Sequence, residues 1–431
     1  MSPTNHVTSN ASDSRPLPGA WLVVGLLWGV GCLNYLDRVM LTTMRDSIKV
    51  GIPMGDADFG MLTTAFLIVY GVLSPVGGWF ADRFSRSRII IVSLAVWSLT
   101  TWATSYAQTF HQLLATRAMM GISEACYIPA ALALIADYHR GATRSLATGI
   151  HMSGIYAGIA LGGMGGWVAE HHGWSASFFT FGIVGVVYAL VVMLMLRDVP
   201  RAHHANAGEA PVKLLDAMRA LGGSVMFWII ALHWGLLGFA GWAFMTWMPT
   251  FLQDHHHLTQ TRAGFTATSY SQVAAFAGVL IGGAWADRWS RTHLRGRVWV
   301  PMIALTLASP FVFMTAHTDV LWIAVVCLIA YGFGRGCSDA NMMPILCQVA
   351  QPQHRATGYG MLNFFSCAIG GSSAYLGGWL KERQVDLSYL LMGSAVLVLV
   401  SGLLLALVKP TKVFSQNGLS DTVTPERTSR A

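Results

Sequence analysis

Charged residues are scarce in this sequence, where Asp, Glu, Lys and Arg together make up 11% of the 431 residues. An ordinary soluble domain contains about 25%. The chain therefore has too few charges to coat a water-soluble enzyme, and its 54% hydrophobic content excludes an intrinsically disordered protein. The sequence also lacks the G-x-x-x-x-G-K-[ST] loop that cradles nucleotide phosphates. If the protein pumps a solute, ATP bound by this chain is not the energy source.

Cysteine is also sparse, and its positions exclude a disulfide framework. All six cysteines lie in apolar segments predicted to be helical, where a thiol acts as a small packing residue. The triple histidine His255–His257 has no cysteine or carboxylate cluster around it that would complete a metal site. We therefore predict neither a metal site nor a cofactor.

Long apolar runs, 16 Trp and 45 Gly are typical of a helical membrane protein. These runs are unbroken, whereas a membrane β-barrel would alternate polar and apolar residues. The sequence predicts an all-α polytopic protein with about twelve transmembrane helices. They lie near 20–44, 59–81, 88–107, 111–136, 145–169, 174–196, 224–252, 263–286, 297–316, 319–349, 355–380 and 387–408.

The longest connection divides the helices into two groups of six. We predict a disordered cytoplasmic tail, an N-terminal six-helix bundle, a cytoplasmic linker, a C-terminal six-helix bundle and a second cytoplasmic tail, over residues 1–19, 20–196, 197–223, 224–408 and 409–431. Most of the 27 Lys and Arg residues then fall on one side of the membrane, which is also the side of both termini. The positive-inside rule predicts that this side is cytoplasmic. Because these residues are scattered over short loops, the net charge of +7 does not indicate a nucleic-acid partner.

The two halves repeat each other. Gly78-Trp-Phe-Ala-Asp82-Arg83-Phe-Ser-Arg86 follows the second helix, and Gly283-Ala-Trp-Ala-Asp287-Arg288-Trp-Ser-Arg291 follows the eighth with identical spacing. The fourth helix carries Gly121-Ile-Ser-Glu124-Ala125, and the tenth carries Gly336-Cys-Ser-Asp339-Ala340. Each of these runs is followed by a proline at the same distance, Pro129 and Pro344. Matches in the same order indicate two homologous six-helix halves.

The doubled loop motif and the basic central connection resemble the major facilitator superfamily over nearly the whole chain. Asn34-Tyr35-Leu36-Asp37-Arg38, together with Arg117 and Glu124, is similar to the anion:cation symporter group of that superfamily. Spinster-like carriers share Glu124-Ala125 and the stretch from Leu134 to Asp137. The resemblance implies two pseudo-symmetric bundles around a central cavity that opens alternately to each side. Ile159 stands where many drug/proton antiporters have proline, which weighs against that function.

Charged residues inside apolar helices are the strongest functional signal, because each costs roughly 2.5–3.5 kcal/mol to insert into a bilayer. The candidates are Asp37, Arg38, Arg117, Glu124, Arg335 and Asp339. Arg117 and Glu124 are seven residues apart, so they share a helix face about 10 Å apart, which is too far for a tight direct pair. Arg335 and Asp339, four residues apart, are predicted to pair with each other.

A buried guanidinium can bind a carboxylate, and a buried carboxylate can exchange a proton. The resemblance assigns the substrate carboxylate to Arg38, protons to Asp37 and Glu124, and the role of gating charge partner to Arg117. Further candidates for the substrate site are polar groups in apolar helices, namely Tyr70, His151, Tyr270, Gln272 and Asn363. Two alternatives remain: the charges form a purely structural network, and His151 and His233 are core histidines.

The repeated loop motif is the predicted gate. In this hypothesis Gly78 and Gly283 allow close helix contact, and Asp82 and Asp287 pair with nearby arginines or helix N-termini. The resemblance implies a cytoplasmic latch made by these residues with Arg83, Arg86, Arg288 and Arg291. Gly154, Gly158, Gly162 and Gly166 form a stripe along the fifth helix that predicts backbone-to-backbone packing.

These features favour a proton-coupled symporter of a small organic anion, such as a sugar acid, over an enzyme. The alternatives are a spinster-like carrier of lysolipids or other amphiphiles and a proton-coupled drug exporter. We expect a monomeric multi-pass protein of the plasma membrane, as in a bacterial inner membrane, whose partners are its substrate, protons and the lipid bilayer.

Overall fold

The computed structural model describes residues 16–139, 143–198, 214–351 and 354–409. These residues form sixteen α-helices and a final 3₁₀ turn, Leu405–Leu407. The helices are α1 Ala20–Thr43, α2 Arg45–Gly51, α3 Asp56–Arg83, α4 Arg86–Thr104, α5 Phe110–Glu124, α6 Tyr127–Tyr138, α7 Arg144–Ala160, α8 Gly163–His172, α9 Trp174–Met195, α10 Leu214–Gly222, α11 Val225–His256, α12 Gln260–Ser290, α13 Gly296–Thr315, α14 Leu321–Val349, α15 Arg355–Glu382 and α16 Ser388–Leu404.

The prediction of about twelve spanning helices is confirmed, with two corrections to their continuity. The fourth predicted helix is divided into α5 and α6, and the fifth into α7 and α8. The first break lies four residues before Pro129, which lacks the N–H that would bond to the Ala125 carbonyl, so the sequence does carry a sign of it. The second break has no proline near it. Two short helices, α2 and α10, were not predicted, and α10 occupies the end of the predicted linker. Residues 199–213 of that linker, and most of both predicted tails, lie outside the described residues.

Polar residues fix where several of the helices begin. The Thr109 hydroxyl accepts the Gln112 N–H at 3.3 Å, and the Gln112 side chain accepts the Thr109 N–H at 3.3 Å. This reciprocal capping box satisfies backbone donors that the first turn of α5 leaves free. Ser224 caps α11 in a similar way, accepting the Phe227 N–H at 3.3 Å.

Each half is built from the same set of helix pairs. In the N-terminal half α1 packs on α7, α3 on α5 and α4 on α9. The equivalent pairs in the C-terminal half are α11 with α15, α12 with α14 and α13 with α16. The repeat seen in the sequence is therefore a repeat of packing, as expected for two homologous bundles.

The two halves meet along a seam formed by α3 with α15 and by α7 and α8 with α12. Nine spans within the described residues are long and apolar enough to cross a membrane by composition. Apart from the short helices α2 and α10, the helices missing from that set are α7 and α8, which their break shortens, and α12 and α15. All of them line the seam, and they carry small and polar residues where a lipid-facing helix would carry apolar ones.

Glycines allow close helix contacts, although not at both predicted positions. A side chain at Gly158 would collide with the Cys32 carbonyl, so the glycine stripe of α7 packs against the α1 backbone as predicted. The prediction for Gly78 is wrong, since nothing lies within 4 Å of a Cβ placed there. Its neighbour Gly77 makes the close contact, with the Ala125 carbonyl, because successive residues point about 100° apart on a helix.

The same one-residue shift occurs in the second half. A Cβ at Gly283 would be in ordinary contact with Ala340 at 3.7 Å, whereas one at Gly282 would lie 2.7 Å from the Cys337 Cα. The close approach therefore belongs to the first glycine of each pair, in both halves.

The break between α7 and α8 is a polar junction between the halves. The Ala160 carbonyl accepts hydrogen bonds from the Ser269 hydroxyl at 2.8 Å and the Thr268 hydroxyl at 3.2 Å. The Gly162 carbonyl accepts one from the Thr43 hydroxyl of α1 at 3.0 Å. Carbonyls that lose helical partners at the break thus gain side-chain donors, as buried backbone groups require.

The seam is closed at the end of the bundle where α1 ends and α3 begins, which we call the far end. Glu382 of α15 accepts the Ala57 N–H at 3.0 Å, and Gln260 of α12 donates to the Gly166 carbonyl at 3.0 Å. Glu170 of α8 accepts the Thr261 N–H at 2.8 Å. These three contacts join one half to the other.

Candidate functional site

A buried ion pair lies inside the N-terminal half, where α1 meets the end of α5. Arg38 Nε donates to Glu124 Oε2 at 2.5 Å, and the two side chains are 2% and 0% exposed. Glu124 is the last residue of α5, so the break before α6 follows the carboxylate directly. Gly121, one turn earlier, brings α5 against the α3 backbone at Phe66, where a Cβ would lie 2.8 Å from the Phe66 carbonyl.

Three aromatic rings surround the guanidinium of Arg38, and we call them the aromatic collar. The rings of Tyr35, Phe66 and Tyr70 have centroids 4.5, 5.0 and 4.4 Å from the Arg38 Cζ. Cation–π contacts of this kind hold a desolvated guanidinium in place. Arg38 Nη2 and Glu124 Oε1 are buried and have no hydrogen-bond partner among the residues that the structure describes. The pair therefore retains one donor and one acceptor that a ligand or a proton could satisfy.

Asp37 and Arg117 extend this charged group but bond to other helices. The Thr101 hydroxyl of α4 lies 3.2 Å from Asp37 Oδ2, and Arg117 Nη2 lies 3.5 Å from the Thr104 hydroxyl. The Arg117 guanidinium also lies 5.4 Å from the Phe178 ring centroid. The prediction that Arg117 and Glu124 make no direct pair is confirmed.

Arg38 makes the direct contact with Glu124. The role of Arg117 as a gating charge partner stays a prediction. Arg38 reaches the carboxylate because α1 lies across the end of α5, whereas Arg117 stands two turns back along the helix that bears Glu124.

The C-terminal half has an ion pair of its own, as predicted. Arg335 Nε donates to Asp339 Oδ1 at 2.9 Å, one turn apart on α14, and Arg335 Nη1 donates to the Leu237 carbonyl at 3.0 Å. The side chains are 24% and 23% exposed. Tyr156 of α7, in the other half, donates to Asp339 Oδ2 at 3.3 Å. Sequence reasoning missed Tyr156, whose only signal was its place two residues after Gly154 in the glycine stripe.

The other predicted substrate residues fall in different places. Tyr70 is part of the aromatic collar, and Asn363 crosses the seam to donate to the Ser74 hydroxyl at 2.8 Å. His151 is fully buried, with Nδ1 3.2 Å from the Leu27 carbonyl. Tyr270 and Gln272 make no side-chain hydrogen bond within the described part of the chain, and Tyr270 is about half exposed.

Two other histidines considered in the sequence, His233 and His255, are held by structural contacts. His233 Nδ1 lies 2.9 Å from both the carbonyl and the hydroxyl oxygen of Ser401 in α16. His255, in the triple histidine, stacks on Phe251 and lies 3.3 Å from Asp386. Both arrangements fit a packing role.

The repeated loop motif forms different pairs in the two halves. Arg86 forms an ion pair with Asp137 and donates to the Ala133 carbonyl at 3.1 Å, which ties the start of α4 to α6. Asp287 pairs with Arg297 at 2.8 Å. Among the other members of the motif, Arg83 lies over the Trp79 ring, and Arg288 and Arg291 are exposed. The side chain of Asp82 lies outside the described residues.

Comparison with known proteins agrees with this architecture. Residues 27–375 match the sequence model of the Major Facilitator Superfamily. The chain is 27% identical to an MFS-type efflux pump of Mycolicibacterium smegmatis, covering 93% of this chain and 94% of the relative. It is 25% identical to a probable galactarate/D-glucarate transporter of Bacillus subtilis, covering 73% and 76%. It is 28% identical to spinster homolog 1 of Bos taurus, covering 84% and 73%.

A solved structure shows the same fold. It is that of a bacterial homolog of the human lysosomal transporter Spinster in an inward-facing, unoccupied conformation, with a TM-score of 0.71 and 21% identity. The match covers 91% of this chain and 95% of the other.

Proposed function

This chain belongs to the Major Facilitator Superfamily, and we propose that it carries a small organic anion across the membrane together with protons. A multi-pass transporter of small molecules, not an enzyme, follows from the family itself. The anion and the proton are our inference. A probable galactarate/D-glucarate transporter among the relatives supports a sugar acid as the substrate class.

The observation that carries the proposal is the buried Arg38–Glu124 pair with its two unsatisfied atoms. A substrate carboxylate that binds Arg38 competes with Glu124 for the guanidinium. Glu124 would then be left charged and unpaired in an apolar interior, at a cost of several kcal/mol. Uptake of a proton removes that charge, so substrate and proton would bind together. Asp37 is the second candidate proton site, because one of its buried carboxylate oxygens also lacks a hydrogen-bond partner in the described part of the chain.

The seam is where the two halves can move relative to each other. The far end is closed by contacts between the halves at Glu382, Gln260 and Glu170. Each of these contacts is a hydrogen bond between polar groups, so water can replace the partner when the halves separate. We infer that the halves rock about the seam, exposing the Arg38 site to one side at a time.

The test is transport by Glu124→Gln in proteoliposomes, with galactarate and galactonate as probes. Glutamine mimics the protonated acid. Exchange of labelled for unlabelled substrate, which needs no net proton movement, should survive in this variant. Uphill uptake driven by an inward proton gradient should be lost.

The matched control is Asp46→Asn, which neutralises a half-exposed carboxylate of the same half outside the site and the seam contacts, and which should keep gradient-driven uptake. Retained uphill uptake in Glu124→Gln would transfer proton coupling to Asp37 or His151. Loss of both activities would leave Glu124 with a structural role alone.

A second candidate is a carrier of amphiphiles, and one surface feature favours it. An apolar groove of about 470 Å³ lies between α1 and α9, lined by residues such as Leu33, Val187 and Tyr188. The groove could hold an acyl chain. Spinster homolog 1 is among the relatives. Uptake of a fluorescent lysophospholipid that galactarate does not inhibit would favour this function over anion symport.

Export of drugs is the third candidate, because a relative is an efflux pump. Ile159 occupies the position where many proton-coupled exporters have proline, which weighs against it. Ethidium accumulation in cells with and without the protein separates export from uptake.

A further inference from the structure

A loop rich in arginine and tryptophan joins α12 to α13 at the end of the bundle opposite the far end. We call it the basic loop and define it as residues 285–299. Its charged residues are one aspartate, Asp287, and four arginines, Arg288, Arg291, Arg295 and Arg297. Asp287 pairs with Arg297 at 2.8 Å. The other three arginines have no carboxylate partner among the described residues, so the loop carries a local excess of positive charge.

The residues that lead into the basic loop follow the order of the layers of a bilayer. Ile281 and Trp285, one turn apart on α12, are 55% and 40% exposed. Ile281 points about 140° away from Phe276, whose ring meets Tyr156 across the seam, so this exposed side faces lipid and not the other half. Arg288 follows three residues after Trp285 on the same side of the helix. Acyl chains, the interface and the phosphate layer favour these three residue types in that order.

Ring contacts and a hydrogen bond hold the basic loop in one shape. Trp285 stacks on Trp289 with 5.9 Å between ring centroids, and Trp289 meets Trp299 of α13 at 5.1 Å. The Leu294 carbonyl accepts a hydrogen bond from the Gln348 side chain of α14 at 3.2 Å. The arginines between these fixed points project from an ordered backbone. Binding an anion therefore costs little additional ordering of the loop.

The start of α13 adds a further attraction for anions. A Cβ at Gly296 would lie 2.6 Å from the Ser290 amide nitrogen, so glycine lets α13 begin directly against the end of α12. No side chain caps the first turn of α13. The positive end of the α13 dipole therefore lies within the basic loop and adds to the charge of its arginines.

The first half uses the equivalent positions differently. Arg86, the counterpart of Arg291 in the repeated loop motif, forms an ion pair with Asp137. Asp137 stands eight residues after the repeated proline of its half, and at that distance the second half has Pro352. Arg291 thus lacks the carboxylate that its counterpart binds, and its side chain is exposed. An arginine that joins two helices in the first half is open to a ligand in the second.

We propose that the basic loop binds the headgroup of an anionic phospholipid. Arg288, Arg291 and Arg295 contact the lipid phosphate. Trp285 and Trp289 lie beside the glycerol and the first part of the acyl chains, which is where tryptophan is enriched in membrane proteins. A phospholipid fits this surface better than a soluble phosphate does, because it supplies both the negative charge and the apolar neighbour of the rings. The inference does not depend on which solute the protein carries.

The experiment is native mass spectrometry of the full-length protein in detergent, titrated with dioleoyl phosphatidylglycerol or dioleoyl phosphatidylcholine. The two lipids have the same acyl chains and differ in headgroup charge. Wild type should bind its first phosphatidylglycerol at least about tenfold more tightly than phosphatidylcholine, because three arginines act on the net negative headgroup. The triple variant Arg288→Gln/Arg291→Gln/Arg295→Gln should reduce that preference to less than about twofold.

The matched control is Arg88→Gln/Arg144→Gln/Arg219→Gln, which removes the same charge from exposed arginines at the same end of the bundle. It should keep the full preference for phosphatidylglycerol. An equal loss in the control would mean that overall charge and not the basic loop selects the lipid, which overturns the proposal. Thermal unfolding at the wild-type temperature verifies that both triple variants are folded.

Two other results also overturn the proposal. One is a wild-type protein that binds both lipids equally, and the other is a preference that survives in the basic-loop variant. sn-Glycerol 3-phosphate, which has the phosphate without acyl chains, should not displace phosphatidylglycerol. Displacement would identify a soluble phosphate as the ligand in place of a lipid. Each of these outcomes leaves the proposed anion transport unaffected, because none of them measures transport.

Discussion

The two halves share a backbone plan but place their charges differently. Glu124 and Asp339 stand at equivalent positions of the repeat, yet Glu124 pairs with an arginine from another helix and Asp339 with one from its own. The first pair is almost completely buried, and the second is partly exposed at the seam. A duplicated scaffold can thus keep its packing while its ionisable groups diverge, and function must be read from each half separately.

The largest expected difference between the halves is in stability. Arg38→Met leaves Glu124 charged, buried and unpaired, which should cost about 3–5 kcal/mol of unfolding free energy. Arg335→Met should cost about 1–3 kcal/mol, because Asp339 is partly exposed and keeps Tyr156 as a partner. Chemical unfolding in detergent, followed by circular dichroism, measures both. Equal losses of unfolding free energy would show that the degree of burial does not determine how much each pair stabilises the protein.

Adding Glu124→Gln to Arg38→Met provides the control for this comparison. Removing the unpaired charge should recover a large part of the lost stability. No recovery would mean that Arg38 stabilises the bundle through its aromatic collar and not through Glu124.

Lysine variants of the same two arginines should differ in how much transport they lose. Arg38→Lys should lose at least about tenfold in uptake although the charge is kept, because a point charge cannot reproduce the planar fork of a guanidinium. Uptake of a monocarboxylate should fall less in Arg335→Lys. Wild-type uptake by Arg38→Lys would contradict the role given to Arg38.

The glycine pairs allow a test of the backbone repeat itself. Gly77→Ala should destabilise by about 1–3 kcal/mol, because the new methyl group meets the Ala125 carbonyl. Gly78→Ala should be neutral or slightly stabilising, since the space there is open and alanine favours a helix. The same order should hold for Gly282→Ala and Gly283→Ala. Thermal unfolding of the four variants measures it, and a reversed order in either half would break the symmetry.

The smallest expected effect concerns two tyrosine hydrogen bonds. Tyr156→Phe removes a contact between the halves, and Tyr127→Phe removes one within the N-terminal half, to the Leu27 carbonyl. Each should cost about 1 kcal/mol of stability. Only Tyr156→Phe should change the rate of substrate exchange in proteoliposomes. A similar change in Tyr127→Phe would show that the rate follows stability and not the seam.

The sequence predicted the features that depend on local spacing. The Arg335–Asp339 pair followed from its four-residue separation, and the backbone contact of the glycine stripe from its four-residue repeat. The twelve spans followed from hydropathy. Each of these depends on one helix, whose geometry the sequence nearly determines.

Features that depend on how helices rotate against each other could not be predicted. Arg38 and Glu124 are 86 positions apart, and nothing local shows that α1 turns its arginine towards the end of α5. The choice of Gly77 over Gly78 depends on the same rotation. The break after Ala160 depends on donors from α1 and α12 that satisfy its carbonyls, so it is a property of the assembled bundles.

The break between α7 and α8 has a consequence for the evolution of the chain. Its acceptors are backbone carbonyls at Ala160, Gly162 and Gly166, which no side-chain substitution can remove. The donors are side chains, Thr268, Ser269 and Gln260 among them, and these can be lost one at a time. The hydrogen-bond acceptors of the junction are thus fixed by the backbone, whereas its donors can change by substitution. Related chains could alter how firmly their halves hold together by changing α12 alone, while the glycine-rich helix facing it is preserved.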